Sequence, residues 1–127
     1  MQKRHILFLA LGLTILTWVL DYIAIVFYLY WTTTWYDIIV HFVGTLAIGT
    51  LIILLLDIHH RSTKSFIKVL VLVMAIGVGW EVFEYIIKET FALEGYLMDA
   101  SADLIMDALG AISAYFITTT SRSEESF

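Results

Sequence analysis

The sequence predicts an all-α integral membrane protein: a four-helix bundle making a single transmembrane domain over residues 1–127, with both termini cytoplasmic. Three observations predict it. Hydrophobic residues make up 61 % of the 127-residue chain and charged residues 15 %, against about 45–50 % and about 25 % in soluble domains, and the mean hydropathy is +0.90. Four apolar stretches are each long enough to cross a hydrocarbon core of about 30 Å, which takes about 20 helical residues. The chain has no Pro and 7 Gly, so few breakers interrupt those stretches. A chain this short cannot hide so much apolar surface in a water-soluble core, which excludes a soluble globular enzyme. A pI near 5.1 with 7 Lys+Arg leaves no basic footprint for nucleic acid. Without Cys, disulfide frameworks, thiolate zinc sites and thiol nucleophiles are excluded as well.

The first span is expected over about 6–30. It starts with Lys3 and Arg4 like a signal peptide, but its apolar run is too long and no small-x-small site precedes Asp21, so it reads as a retained helix. The second is expected over 37–56, the third over 66–87 and the fourth over 100–119. None alternates like a barrel strand, and bilayers accept only helices or closed barrels. The fourth carries Asp103 and Asp107, each costing about 2.5–3.5 kcal/mol at a helix centre, which makes it the weakest of the four as a span. Lys3, Arg4, Arg61, Lys64, Lys68 and Arg122 fall at one side of the spans and Lys88 at the other. The positive-inside rule then puts the termini and the 57–65 loop in the cytoplasm. Trp31, Trp35, Tyr36, Tyr85 and Tyr96 suit an outer interfacial belt, and the tail 121–127 reads as disordered.

That orientation gathers the acids. Asp37 opens the second span on the outer side, with His41 one turn deeper. Glu81 and Glu84 lie about 9 and 5 Å below the outer end of the third span, and Asp99, Asp103 and Asp107 step inward at about 6 Å intervals. Asp21 is expected about nine residues short of the outer end of the first span. Asp37 and His41, Glu81 and Glu84, and Asp103 and Asp107 repeat at helical spacing, so each set shares one face. Gly44, Gly77 and Gly110 with Ala114 continue those faces with small residues, which permit close helix approach. The inner halves hold almost no ionisable group.

Asp21, Asp37, Glu81, Glu84, Asp103 and Asp107 thus share one zone with a single imidazole and, at its rim, Lys88. Each unpaired charge at membrane depth costs about 3 kcal/mol on the mildest scale, and one or two protonations would leave several charges unmatched. A divalent cation neutralises the cluster with fewest parts, and oxygen-rich ligation with one His suits Mg, Mn, Fe or Zn. Taken singly, the residues read more plainly. Asp37 and Asp99 suit helix N-caps, His41 a hydrogen-bonded interior histidine, and Asp21 a partner for a Thr or Tyr hydroxyl. His59-His60 beside Asp57 reads as a solvated turn. Gly77-Val78-Gly79 lacks the strand and loop of a phosphate-binding motif and reads as a packing site. No Ser sits in a nucleophile elbow; Ser101 lies near the acids with no base tied to it.

In chain order the polar residues read Tyr36-Asp37-x3-His41-Phe42-x-Gly44, Trp80-Glu81-x2-Glu84-Tyr85 and Asp99-x-Ser101-x-Asp103-x3-Asp107-x2-Gly110-Ala111. Over about residues 36–111 this resembles the YjdF-like family of small uncharacterised membrane proteins, and more distantly the VanZ-like family. The chain is shorter than the former and lacks the basic residue that the latter carries before its last acidic motif. The resemblance implies a polar intramembrane site, and its VanZ-like side implies cell-envelope or lipid-linked chemistry.

The reading expected from these residues is a membrane protein with a divalent metal site in the outer half of the bilayer, acting as hydrolase or transferase on lipid-linked substrates. His41, Glu81, Glu84, Asp103 and Asp107 would ligate the metal, and Asp37 or Asp21 would act as general base. The competing readings are a proton- or cation-translocating protein, which needs polar residues in the inner half too, and an accessory subunit of a larger membrane complex. The bilayer is the expected partner, with a second copy of the chain or another membrane protein left open and nucleic acid excluded.

Overall fold

The computed structural model describes residues 1–87 and 93–120. Lys88, Arg122 and the tail 121–127, which figured in the expected topology, lie outside the described residues. Over these residues the chain is all-α with four long helices: α1 (Lys3–Val26), a single-turn α2 (Leu29–Thr32), α3 (Tyr36–Leu55), α4 (Thr63–Ile87) and α5 (Leu93–Thr118). Each long helix carries an apolar segment able to cross a membrane, and a helix satisfies its own backbone groups where no water can.

The ends of the helices have local causes. At the end of α3, Asp57 takes a left-handed φ of 56°, the Ile58 N–H donates to the Ile53 carbonyl at 3.0 Å and the Asp57 N–H to Leu54 at 3.3 Å. This is a Schellman closure with Asp where glycine is usual. The helix α4 begins where the Ser62 hydroxyl accepts the Ser65 N–H at 3.1 Å, an N-cap that starts it three residues before the expected 66. The first span stops at Val26 instead of 30, because Tyr28 turns left-handed at φ 56°. Asp21 is therefore five residues from the end of its helix, not nine. The fourth span begins at Leu93 rather than 100, so Asp99 is an exposed residue inside a helix and no N-cap.

The helix α3 is the centre of the assembly. It packs against α5, α1 and α4, α5 also packs on α4, and α1 makes its broad contact with α3 alone. One end is closed by Lys3 Nζ and Asp57 at 2.7 Å and by the Arg61 N–H on the Thr120 carbonyl at 3.0 Å. The start of α1, the α3–α4 turn and the end of α5 therefore share an end, as expected. Next to it lies the hydrophobic core of Ile53, Val69, Val73, Ala111, Ala114 and Tyr115. The Tyr115 hydroxyl joins this core to the turn by accepting the Ser62 N–H at 2.8 Å and bonding the Ser65 hydroxyl at 2.7 Å. Close packing of α3 on α5 needs small residues: a Cβ on Gly49 would stand 2.8 Å from that of Ala114, and one on Gly110 would stand 2.8 Å from the Phe42 carbonyl oxygen. The apolar core thus fills one half of the bundle, and the opposite half holds the acids.

Candidate metal centre

His41 occupies the middle of the polar half and is 8 % exposed. Its Nδ1 lies 3.0 Å from Asp107 Oδ1. Its Nε2 faces three carboxylates from three helices: Glu81 Oε1 at 3.7 Å, Asp37 Oδ1 at 3.8 Å and Asp103 Oδ2 at 3.9 Å. The helical repeats explain the convergence. One turn of α3 separates Asp37 from His41, and one turn of α5 separates Asp103 from Asp107, so both edges of the ring meet a carboxylate of the same helix.

The close approach of α4 to α5 depends on Gly77. A Cβ there would run into Asp107 Oδ2 and stand 3.1 Å from its Cγ. Asp107 is fully buried, Asp103 is 1 % exposed and Glu81 5 %. Their charge is poorly answered. Among the described residues their ion pairs all run to His41, and Glu81 Oε1, both Asp103 oxygens and Asp107 Oδ2 lack a hydrogen-bond partner. Buried polar atoms are rarely left so, and a carboxylate in a low dielectric carries the largest penalty.

The donor set fits a cation. Asp37, His41 and Asp103 bring one donor atom each within 4.8 Å of one another, and His41, Glu81 and Glu84 form a second such trio. Ligand atoms about 2.0–2.2 Å from an ion stand at most about 4.4 Å apart, so all three Nε2–carboxylate separations fall under that ceiling. An Nδ1–H donated to Asp107 leaves the Nε2 lone pair aimed at the carboxylates, the arrangement that outer carboxylates impose on metal-ligating histidines.

Of the acids expected here, Asp37, Glu81, Glu84, Asp103 and Asp107 surround His41. Asp21 stands apart from the two trios and accepts the Tyr30 hydroxyl at 2.7 Å. That bond needs the early end of α1, which folds Tyr30 back over the helix. Burial and the Asp21 carboxylate together push the Tyr30 phenol well above its ordinary range. Ser101 turns away and donates to the Leu97 carbonyl at 2.5 Å. Of the expected aromatic belt, Trp31, Trp35 and Tyr85 are exposed, whereas two tyrosines turn inward to tie helices together. Tyr36 donates to the Leu20 carbonyl at 3.0 Å and Tyr96 to that of Glu81 at 2.8 Å. His59 pairs with the exposed Asp57 at 2.9 Å, as a solvated turn would. Lys3 and His59 together hold the Asp57 carboxyl below its usual range.

A cleft of about 500 Å³ opens between α1 and α4, with His41, Asp107 and Thr45 at its floor, Asp37 and Glu84 beside them, and Asp21 and Tyr30 at its rim. Trp18 and Trp80, 73 % and 51 % exposed, line its walls. Sequence reasoning had no means of finding Trp18 and Trp80, since an exposed aromatic in a span looks the same whether it meets lipid or a cleft.

Fold and site together define a multi-pass membrane protein of four apolar helices enclosing an acidic, histidine-centred interior. The chain belongs to the family described as predicted membrane protein (DUF2238), whose model it matches over residues 3–124. No curated protein and no solved structure matches it.

Proposed function

We propose that this protein binds a divalent cation inside the membrane and uses it for hydrolysis or group transfer on cell-envelope substrates. The observation that carries the reading is the set of unpartnered oxygens on Glu81, Asp103 and Asp107, all deeply buried. Three carboxylates held around one imidazole nitrogen favour a bound positive charge, and a cation of the Mg, Mn, Fe or Zn class matches their chemistry. In this reading His41 Nε2, Asp37, Glu81, Glu84 and Asp103 supply ligands. Asp107, on the far edge of the ring, fixes the tautomer and orientation of His41 more than it ligates.

A bound cation would supply Lewis acidity and local positive charge. Asp37, half-buried at the surface of the cleft, is the carboxylate placed to take a proton from water, while Asp21 stays tied to Tyr30. The positive-inside rule assigns the acidic half to the outer leaflet. The more distant resemblance of residues 36–111 to VanZ-like proteins is what suggests an envelope setting.

Conduction is less well supported, because Ile53, Val69 and Val73 close the other half of the bundle with apolar side chains. Titration of metal-stripped protein in detergent with Mn²⁺ and Zn²⁺ tests the proposal. Stoichiometric binding, weakened at least tenfold by Glu81→Gln and by Asp103→Asn, is expected. A folded wild type that takes up neither metal would end it, as would a stoichiometric co-purifying subunit whose buried Lys or Arg answers these acids.

A further inference from the structure

The cleft between α1 and α4 has chemistry of its own. Its walls come from membrane-spanning segments: Thr17 and Trp18 from α1, Ile76 and Trp80 from α4. The tryptophans are more than half exposed, so its mouth faces the hydrocarbon of the bilayer. Its volume of about 500 Å³ falls within the roughly 300–1,000 Å³ of ligand clefts. Its floor is His41 with Asp107, the same imidazole whose Nε2 faces the buried acids. Among the described residues no Lys or Arg lines it, and its one basic side chain, His41, already faces four carboxylates. A ligand entering here is met by apolar walls, and a cation at the floor would hold an anionic head.

We infer that the cleft admits a membrane lipid sideways from the bilayer, its alkyl chain between Trp18 and Trp80 and a phosphate oxygen reaching the cation at His41. This names the substrate class of the proposed site and rests on that site holding a cation. The geometry favours a lipid over a water-soluble phosphate because the walls bury apolar surface, each CH₂ contributing about 0.8 kcal/mol, from which a free phosphate gains nothing. It also accounts for α1 packing broadly on α3 alone: contact between α1 and α4 would close the entrance.

The test uses the full chain in detergent, with dioctanoyl phosphatidic acid, dioctanoylglycerol, inorganic phosphate and hexadecyltrimethylammonium as probes, each with and without Mn²⁺. Phosphatidic acid is expected to bind the Mn²⁺-loaded protein at least tenfold more tightly than the metal-free protein does. It is also expected to outbind both dioctanoylglycerol and inorganic phosphate by that factor. Ile76→Trp, at a position 46 % exposed, fills the cleft and should cost at least tenfold in phosphatidic acid affinity with Mn²⁺ affinity unchanged. Gly44→Leu is the second blocker, because a Cβ there meets only Thr17 Cγ2 at 3.5 Å. Mn²⁺ binding with phosphatidic acid affinity untouched by both blockers would overturn the lipid cleft and leave the metal site standing. Inorganic phosphate binding as tightly as the lipid would overturn it too, as would hexadecyltrimethylammonium binding the metal-free protein while phosphatidic acid ignores the loaded one. Failure to bind Mn²⁺ at all would instead refute the cation site, and the lipid cleft with it.

Discussion

Replacing Gly77 by alanine adds one methyl group in a membrane helix, and two effects of opposite sign follow. Alanine favours a helix over glycine by about 1 kcal/mol. The new Cβ, however, collides with Asp107 Oδ2 and comes within 3.1 Å of Cγ and 3.5 Å of the Asp107 Cβ. Swinging the carboxylate aside relieves the collision but breaks the 3.0 Å contact that orients His41; keeping it forces α4 and α5 apart, and overpacking of this kind costs about 1–3 kcal/mol. The net effect on metal-free stability is between about zero and 2 kcal/mol destabilising. The effect on the cation is larger, because loss of an outer carboxylate partner typically lowers metal affinity about 10–100-fold, or about 1.4–2.7 kcal/mol. Gly79→Ala is the matched control, since nothing lies within 4 Å of a Cβ there; it should keep full affinity and match or exceed wild-type stability. Mn²⁺ titration by calorimetry, with thermal unfolding in the same detergent, reads both quantities. Equal affinities in the two alanine variants would refute the role given to Asp107 and Gly77.

Glu81→Gln and Asp103→Asn should raise the stability of the metal-free protein, by up to about 3 kcal/mol where they remove an unmatched charge, yet abolish most of the thermal shift that Mn²⁺ gives the wild type; a metal-free loss of stability in both would count against uncompensated charge. Tyr115→Phe should cost about 0.5–1.5 kcal/mol, because the exposed Ser62 and part-buried Ser65 lose their bonds to the Tyr115 hydroxyl but can turn to water. It should leave Mn²⁺ affinity unaltered, and a tenfold change in affinity would show that the two halves of the bundle are coupled. The raised Tyr30 phenol predicts a pH effect: the neutral form is favoured in the folded protein, so its contribution is fully present below the ordinary tyrosine value of about 10 and is lost as pH rises beyond it. Alkaline unfolding of Tyr30→Phe should accordingly be less steep than that of the wild type, and identical profiles would argue against the Asp21 bond.

What could be read from the chain followed from period and solvent. Apolar runs of membrane length placed α3 within a residue at each end, and the spacings of Asp37 with His41 and Asp103 with Asp107 pointed the right faces inward. The same arithmetic that puts a residue on a face also found Gly77 and Gly110, which the structure places at close helix approaches. Three features escaped it. The first span ends at a left-handed Tyr28 with no glycine to announce it, and only Tyr30 folded back onto Asp21 gives that turn a purpose. Asp99-Ala100-Ser101 has the composition of a helix start, but the helix already runs from Leu93, and the Ser101 hydroxyl donates back to the Leu97 carbonyl instead of capping a new one. The roles of Tyr36 and Tyr96 depend on which carbonyl lies opposite, a tertiary fact without a sequence signature.

The central claim is that a cation sits between His41 Nε2 and the carboxylates of α3, α4 and α5. X-ray absorption on the Mn²⁺- or Zn²⁺-loaded protein measures this directly through the ion's coordination shell. The account predicts oxygen ligands with a single imidazole, and loss of that imidazole in His41→Ala. A shell with two imidazoles, unchanged in His41→Ala and abolished by replacing His59 and His60, would put the metal in the opposite turn and contradict it.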